Sequence, residues 1–195
     1  VLDQESAPAS RAEAIDALAA LHAKELPLAV DHALQDASGE VRAAARTALV
    51  TLDKSRALDE LERGLTQGET VERQSALQAL GGIDDARVDT VLIAALDQLL
   101  AGTMPAEVQL DVLTSAAARS DADVLAKLNQ YETGLDASDL LAPYRVALAG
   151  GNAERGQQIF FTRSDVSCQR CHKIAGRGGD VGPDLSQIAA MKDRN

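Results

Sequence analysis

Apolar residues in the first half of the chain fall three and four positions apart, the spacing that lines one face of a helix. Val41, Ala45, Leu49 and Leu52 form one such stripe, and Leu58, Leu61 and Leu65 form the next. The pattern then recurs every 31 residues. Arg11, Arg42 and Arg73 share that interval, as do Ala17, Ala48 and Ala79, and Leu18, Leu49 and Leu80. So do Leu21, Leu52 and Ile83; Val30, Leu61 and Leu92; and Leu34, Leu65 and Leu96. Series that agree on one period across three copies define an internal repeat, of a length typical of stacked helical architectures.

Each copy reads as two antiparallel helices, with copies near residues 10–36, 41–67 and 72–98. Asp36-Ala37-Ser38-Gly39 and Gln67-Gly68-Glu69-Thr70 supply the small polar residues that end one pair and cap the next. Pro27 falls near the start of the first copy's second helix, where a missing N–H costs little. A fourth copy, 105–132, is degraded, because an insertion between Asp97 and Pro105 aligns Leu92 with Leu128 only across 36 residues. Residues 136–149 read as a last, capping helix closed by Tyr144, since terminal repeats are commonly atypical. Ala149-Gly150-Gly151-Asn152 then marks a boundary between a repeat domain, 1–149, and a second domain, 150–195. The run Val41-Arg42-Ala43-Ala44-Ala45-Arg46-Thr47-Ala48-Leu49 resembles the first helix of short HEAT-type repeats. That resemblance covers roughly residues 10–100 and implies an α-solenoid.

Composition supports an all-α class. Hydrophobic residues make up 46% of the chain but aromatics only 2%, so the core is built from Ala, Leu and Val rather than from sheet-forming residues. No apolar run reaches the length of a membrane span. The start, Val1-Leu2-Asp3, has neither an initiator Met nor a signal-peptide pattern and reads as a piece of a longer protein. The net charge of −11 is uneven: residues 151–195 carry +2 and the rest −13. So acidic a platform lacks the basic stripe that a phosphate backbone requires, and nucleic acid is not an expected partner. His22 and His32 read as surface or capping histidines, and the repeated arginines as bonds to acidic neighbours such as Asp36 or Glu69.

Candidate chemistry is concentrated near the end, at Cys168-Gln169-Arg170-Cys171-His172, which holds both cysteines of the chain. Cys-x-x-Cys-His is the attachment signature of a c-type haem. Two thiols on one short turn can form thioethers to the two vinyl groups of a porphyrin, and the adjacent imidazole is then the proximal iron ligand. Two other readings use the same residues. A thiol redox pair calls for a βαβ context, which the pattern lacks. A structural zinc calls for four ligands, and no further Cys or His follows His172.

The flanking text adds a second resemblance. Gly156 and Phe160 on a short predicted helix, then the Cys-x-x-Cys-His turn, a glycine-rich loop and Gly182-Pro183-Asp184-Leu185, together resemble the N-terminal half of a class I cytochrome c domain. The resemblance implies that Gly156 and Phe160 pack against a C-terminal helix. It implies that the Pro183 carbonyl accepts from His172 Nδ1–H, that Leu185, helped by Ile159 or Val181, packs on the porphyrin, and that glycines let the backbone pass close to it. Class I domains take a methionine as sixth ligand well downstream. Met191 is only 19 residues beyond His172, so it reads chiefly as a packing residue and secondarily as a distal ligand. Helical repeats followed by such a segment resemble the multidomain haem-binding proteins of planctomycetes and verrucomicrobia. These often carry a β-propeller resembling sugar dehydrogenases. The implied function is electron transfer through covalent haem c, with an attached or docked dehydrogenase acting on a sugar or alcohol as redox partner. The implied location is periplasmic or otherwise exported. The rival reading is a protein-interaction scaffold whose partner docks on the solenoid surface and whose haem segment is vestigial or structural. A peroxidase-like enzyme would need a distal acid or base, and residues 173–195 offer none.

Overall fold

The computed structural model describes residues 5–192. Residues 1–4 and 193–195, at the outer edges of the two expected domains, lie outside the described residues. The chain is predominantly helical with almost no strand, and it divides into two compact units, Val1–Val146 and Ala147–Asn195.

In the first unit, helices follow one another in pairs. These are α1 (Pro8–Ala20) with α2 (Leu26–Ala33), α3 (Gly39–Leu52) with α4 (Lys54–Gln67), and α5 (Thr70–Gly81) with α6 (Ala86–Leu100). A 3-10 turn at Ala106–Val108 then leads into α7 (Gln109–Ala117), which is followed by α8 (Ala122–Thr133). The first helices pack in order, α1 on α3, α3 on α5 and α5 on α7, and each second helix also leans on the first helix of the next pair. Aspartates start three of the second helices. Asp53 accepts from the Arg56 N–H at 3.1 Å, Asp85 from Arg87 at 3.1 Å, and Asp121 from Asp123 and Val124 at 3.0 Å. Each satisfies donors that the first helical turn leaves without a partner.

The repeated apolar positions make the core. Val30, Leu61 and Leu92 are fully buried, one per copy. Burial also depends on neighbours: at one repeat position Leu21 is 77% exposed, Leu52 40% and Ile83 5%. The residue type repeats along the chain, whereas the cover comes from the flanking pair.

Two core positions carry charge. Arg46 is midway between Ile15 and Leu77 on a 31-residue series whose other two members are fully buried. Glu72 is the counterpart, one copy on, of the fully buried Val41. The two meet across α3 and α5: Arg46 Nη1 donates to Glu72 Oε1, and Arg42 donates to the same carboxylate at 2.9 and 2.6 Å. Glu60 lies 3.7 Å from Arg46 Nε. Burial pushes the Glu72 carboxyl up, but hydrogen bonds from Arg42, the Glu69 backbone and Arg46 outweigh it and hold the pKa at about 2. The Arg42 guanidinium is raised by its hydrogen bond to Glu72, against the effect of burial. Gly64 makes room for the cluster, since a Cβ there would lie 3.1 Å from Arg46 Cδ. With Arg46 held by Glu72, Gly64→Ala should overpack at a cost of about 1–3 kcal/mol, more than the roughly 1 kcal/mol of helix propensity it gains. A urea midpoint that rises in this variant would show that Arg46 yields.

The other arginines of the series also bond inward. Arg11 forms a buried pair with Asp36 at 3.0 and 2.7 Å. Arg42 reaches the Asp36 and Ala37 carbonyls at 2.8 and 2.9 Å and pairs with Glu69 at 2.9 Å, and Arg73 donates to Gly68 O at 2.9 Å. On the exposed side, Arg56–Asp31 and Arg87–Glu62 repeat one ion pair a full copy apart; such surface pairs add little stability. His22 and His32 are exposed.

One expected element is different. Residues 136–149 do not form a capping α-helix; they make turns and a 3-10 stretch, Ala142–Leu148. Asp136 accepts from Ser138 N–H at 2.8 Å and Asp139 from Leu141 N–H at 2.9 Å, local bonds that compete with helix. Pro143 removes a further N–H. Tyr144 closes nothing, being 69% exposed, whereas Ala142 is buried.

The second unit contains α9 (Ala153–Thr162), a 3-10 turn at Cys168–Arg170, a two-residue hairpin of β1 (Lys173–Ile174) and β2 (Arg177–Gly178), and α10 (Ile188–Met191). The hairpin is antiparallel, pairing Lys173 with Gly178 and Ile174 with Arg177. Among its described residues none is buried.

Candidate functional site

The Cys168–His172 turn is built from both sides. Asn152 caps α9 by accepting from the Arg155 N–H at 2.9 Å, and after Thr162 the chain enters the turn through Ser167, a non-glycine residue at φ +47°. The Cys171 and His172 N–H groups both donate to Cys168 O, at 3.3 and 3.1 Å. The Gln169 side chain donates back to Phe161 O on α9. Phe161 meets Phe160 edge to face at 4.9 Å, and the Arg177 guanidinium lies 4.3 Å from the Phe161 ring centre. The cysteines are not joined by a disulfide; Cys168 is half-buried and Cys171 exposed.

From the other side the glycine-rich strap, residues 176–186, folds back on this turn. Gly179 N–H donates to Gln169 O at 2.8 Å, Gly182 N–H to Cys171 O at 2.7 Å, and Leu185 N–H to Lys173 O at 2.9 Å. Ser186 Oγ accepts from the Ala175 N–H at 2.8 Å, and Asp184 accepts from the Ser186 backbone at 2.8 Å. The Ser186 hydroxyl and backbone hold the Asp184 carboxyl below its ordinary value; the ion pair with Asp180 holds the Lys173 ammonium above its own. The strap passes too close for side chains. A Cβ on Gly179 would lie 2.1 Å from Arg170 O, and one on Gly182 would lie 2.6 Å from His172 Cε1.

The strap sets the histidine. His172 Nδ1 is 2.8 Å from Pro183 O. A carbonyl oxygen only accepts, so Nδ1 is the donor, and in the neutral ring the Nε2 lone pair is left for a ligand. No protein-family model, curated protein or solved structure matches this chain. Its chemistry is therefore read from its own residues.

The structure brings together Cys168, Cys171, His172 and Pro183 in one turn and strap, and ties Leu185, half-buried, to β1 through its backbone. Met191 ends α10 and is 63% exposed. Ile159 and Val181 are also exposed. Gly156 and Phe160, with Ala153, Gln157, Phe161 and Ile174, line an open, largely apolar groove of about 450 Å³. Three features escaped the sequence reading: the Gln169 tie to Phe161, the Arg177–Phe161 stack and the packing of Gly182 on the imidazole. Only the last left a trace in the sequence, a glycine directly before the proline whose carbonyl the histidine uses.

Among the described residues, no group of three or more His, Cys, Asp and Glu side chains converges as a metal-ion site. Haem attached through thioethers asks less of the chain, one imidazole and two thiols. Among the described residues, no helix is long and apolar enough to cross a membrane.

Proposed function

We propose that residues 150–195 attach one haem c through Cys168 and Cys171, with His172 as proximal ligand, and that the protein transfers electrons. The observation that carries this reading is the hydrogen bond from His172 Nδ1–H to Pro183 O at 2.8 Å. It frees the nitrogen a haem iron uses, and a carbonyl behind a metal-bound imidazole keeps its orientation and raises its basicity. The donor set fits the group as well: two unpaired thiols three residues apart, followed at once by the imidazole. Haem, when bound, supplies a one-electron ferrous–ferric couple. The chain's residues do the rest. The thiols anchor, Pro183 orients, the strap glycines let the backbone close on the turn, and Leu185, Ile159 and Val181 offer apolar surface. Met191 is the reserve candidate for the sixth position.

The helical unit is read as an α-solenoid of HEAT-like pairs carrying this segment. Its place is within a larger exported or periplasmic oxidoreductase that hands electrons from a sugar or alcohol dehydrogenase domain to the haem. A second reading has one observation in its favour: buried residues are plentiful in the helical unit, whereas none of the described residues of the second unit is buried. On that reading the solenoid is a docking scaffold and the haem segment is structural. A spectroelectrochemical titration of the protein, exported from a host that matures c-type cytochromes, separates the two. Electron transfer predicts a reversible one-electron couple. A chain with no reversible couple would leave the scaffold reading in possession.

A further inference from the structure

The first helices of the helical unit meet through one recurring interface, α1 on α3, α3 on α5 and α5 on α7. Each half of it is left open at one end of the series. On the receiving half, Ala45, Ala48 and Leu49 of α3 are buried. Their counterparts 31 residues earlier on α1 are more open: Ala17 is exposed, and Ala14 and Leu18 are half-buried. On the presenting half, Ala12 and Ala43 are buried, Ile15 and Leu77 fully so, and Gly81 is buried. The α7 counterparts, 36 residues beyond Gln74, Leu77 and Gly81 because of the insertion, are Leu110, Leu113 and Ala117. Leu110 is 44% exposed, Leu113 half-buried and Ala117 exposed. Terminal repeats ordinarily turn a polar face outward; these two ends turn out alanine and leucine.

The polar edge of the interface keeps the same register. Thr47 meets Ser75 at 3.3 Å, and Gln78 Nε2 donates to Asp111 at 2.9 Å. The partners are 28 and 33 residues apart, and the difference of 5 is the insertion before Pro105. The next donor position in this series is Thr114 on α7, and the first acceptor position is the exposed Glu13 on α1. The Thr114 hydroxyl, now on Leu110 O at 2.8 Å, can turn to a carboxylate brought opposite it. From this register we propose that a second copy of the chain stacks head to tail on the first. The α1 of one copy covers the α7 outer face of the other, as α7 covers α5. Every copy carries both halves, so the contact is heterologous, and association runs past a pair until it closes as a ring or continues as a filament. Stacking needs no haem, so its failure would leave the haem reading untouched.

Sedimentation equilibrium of the full chain over a wide range of concentration tests this. The weight-average mass should climb past that of two chains. Ala17→Glu blocks the receiving end and Leu110→Glu the presenting end. Both sites are exposed, so the urea midpoints should not move, and each variant alone should remain a monomer. Mixed in equal amounts they should form a pair and nothing larger, because each keeps the half that the other lacks. Thr114→Glu, set against Glu13, should also abolish association, and adding Glu13→Lys to that chain should restore it. An unmodified chain that stays monomeric throughout would overturn the stacking, and it decides the question by itself if a variant unfolds. So would a mixture of the two blocked variants that stays monomeric, a dimer that survives Leu110→Glu, which would pair two α1 faces, or association that neither single variant alters, which would put the contact elsewhere.

Discussion

Glu72→Gln is expected to destabilise the helical unit by about 3–5 kcal/mol, the usual cost of removing one partner from a buried charged cluster. Arg46 would be left in a core position with its main partner gone, and Arg42 would keep only Glu69 and two backbone carbonyls. Urea unfolding followed by far-UV circular dichroism measures the loss. The same residue sets a pH dependence. Its folded pKa of about 2 is below its ordinary 4.5, so its stabilisation is complete above the ordinary value and is lost as pH falls through about 2. Between these limits the unmodified chain should lose stability more steeply than the Gln variant. A contrasting change uses the repeat. Arg46→Leu with Glu72→Val restores the residue types of Leu77 and Val41, and should leave stability within about 1 kcal/mol of the original or above it, because a packed apolar pair matches a buried ion pair. A Gln variant as stable as its parent, with the same acid slope, would show that the cluster contributes nothing.

Cys168→Ala/Cys171→Ala is expected to abolish covalent haem altogether, the largest effect on the second unit. Each thioether needs its own thiol, and the chain has no third cysteine to substitute. Single variants should retain one thioether and one free vinyl group, which shifts the haemochrome absorption to longer wavelength. The helical unit has its own cores, so all three variants should unfold in urea with that unit's transition unchanged. Equal haem retention in the double variant would mean that the cysteines are not the anchors.

The helical pairs were legible because repetition multiplies a weak signal. One amphipathic stripe is ambiguous, but Leu18, Leu49 and Leu80 in register with Val30, Leu61 and Leu92 are not. Arg46 and Glu72 were hidden by the same logic. They break the apolar pattern singly, and only their meeting across two copies explains why both are tolerated. The segment from Asp136 misled because its Leu and Ala content suits a helix, while two aspartates and Pro143 redirect the backbone locally. In the second unit, Cys168, Cys171, His172 and Pro183 stood out by residue type and spacing. The approach of Gly182 to the imidazole left only a trace, a glycine directly before Pro183, since a glycine does not say what it touches.

The most direct measurement is a pyridine haemochrome spectrum of the protein exported from a host with cytochrome c maturation, taken after acid–acetone extraction. The account predicts one haem per chain that survives extraction, with the absorption of a porphyrin whose two vinyl groups are both saturated. Protein that emerges from extraction without haem would contradict it, and the function would then have to be sought on the surface of the helical repeats.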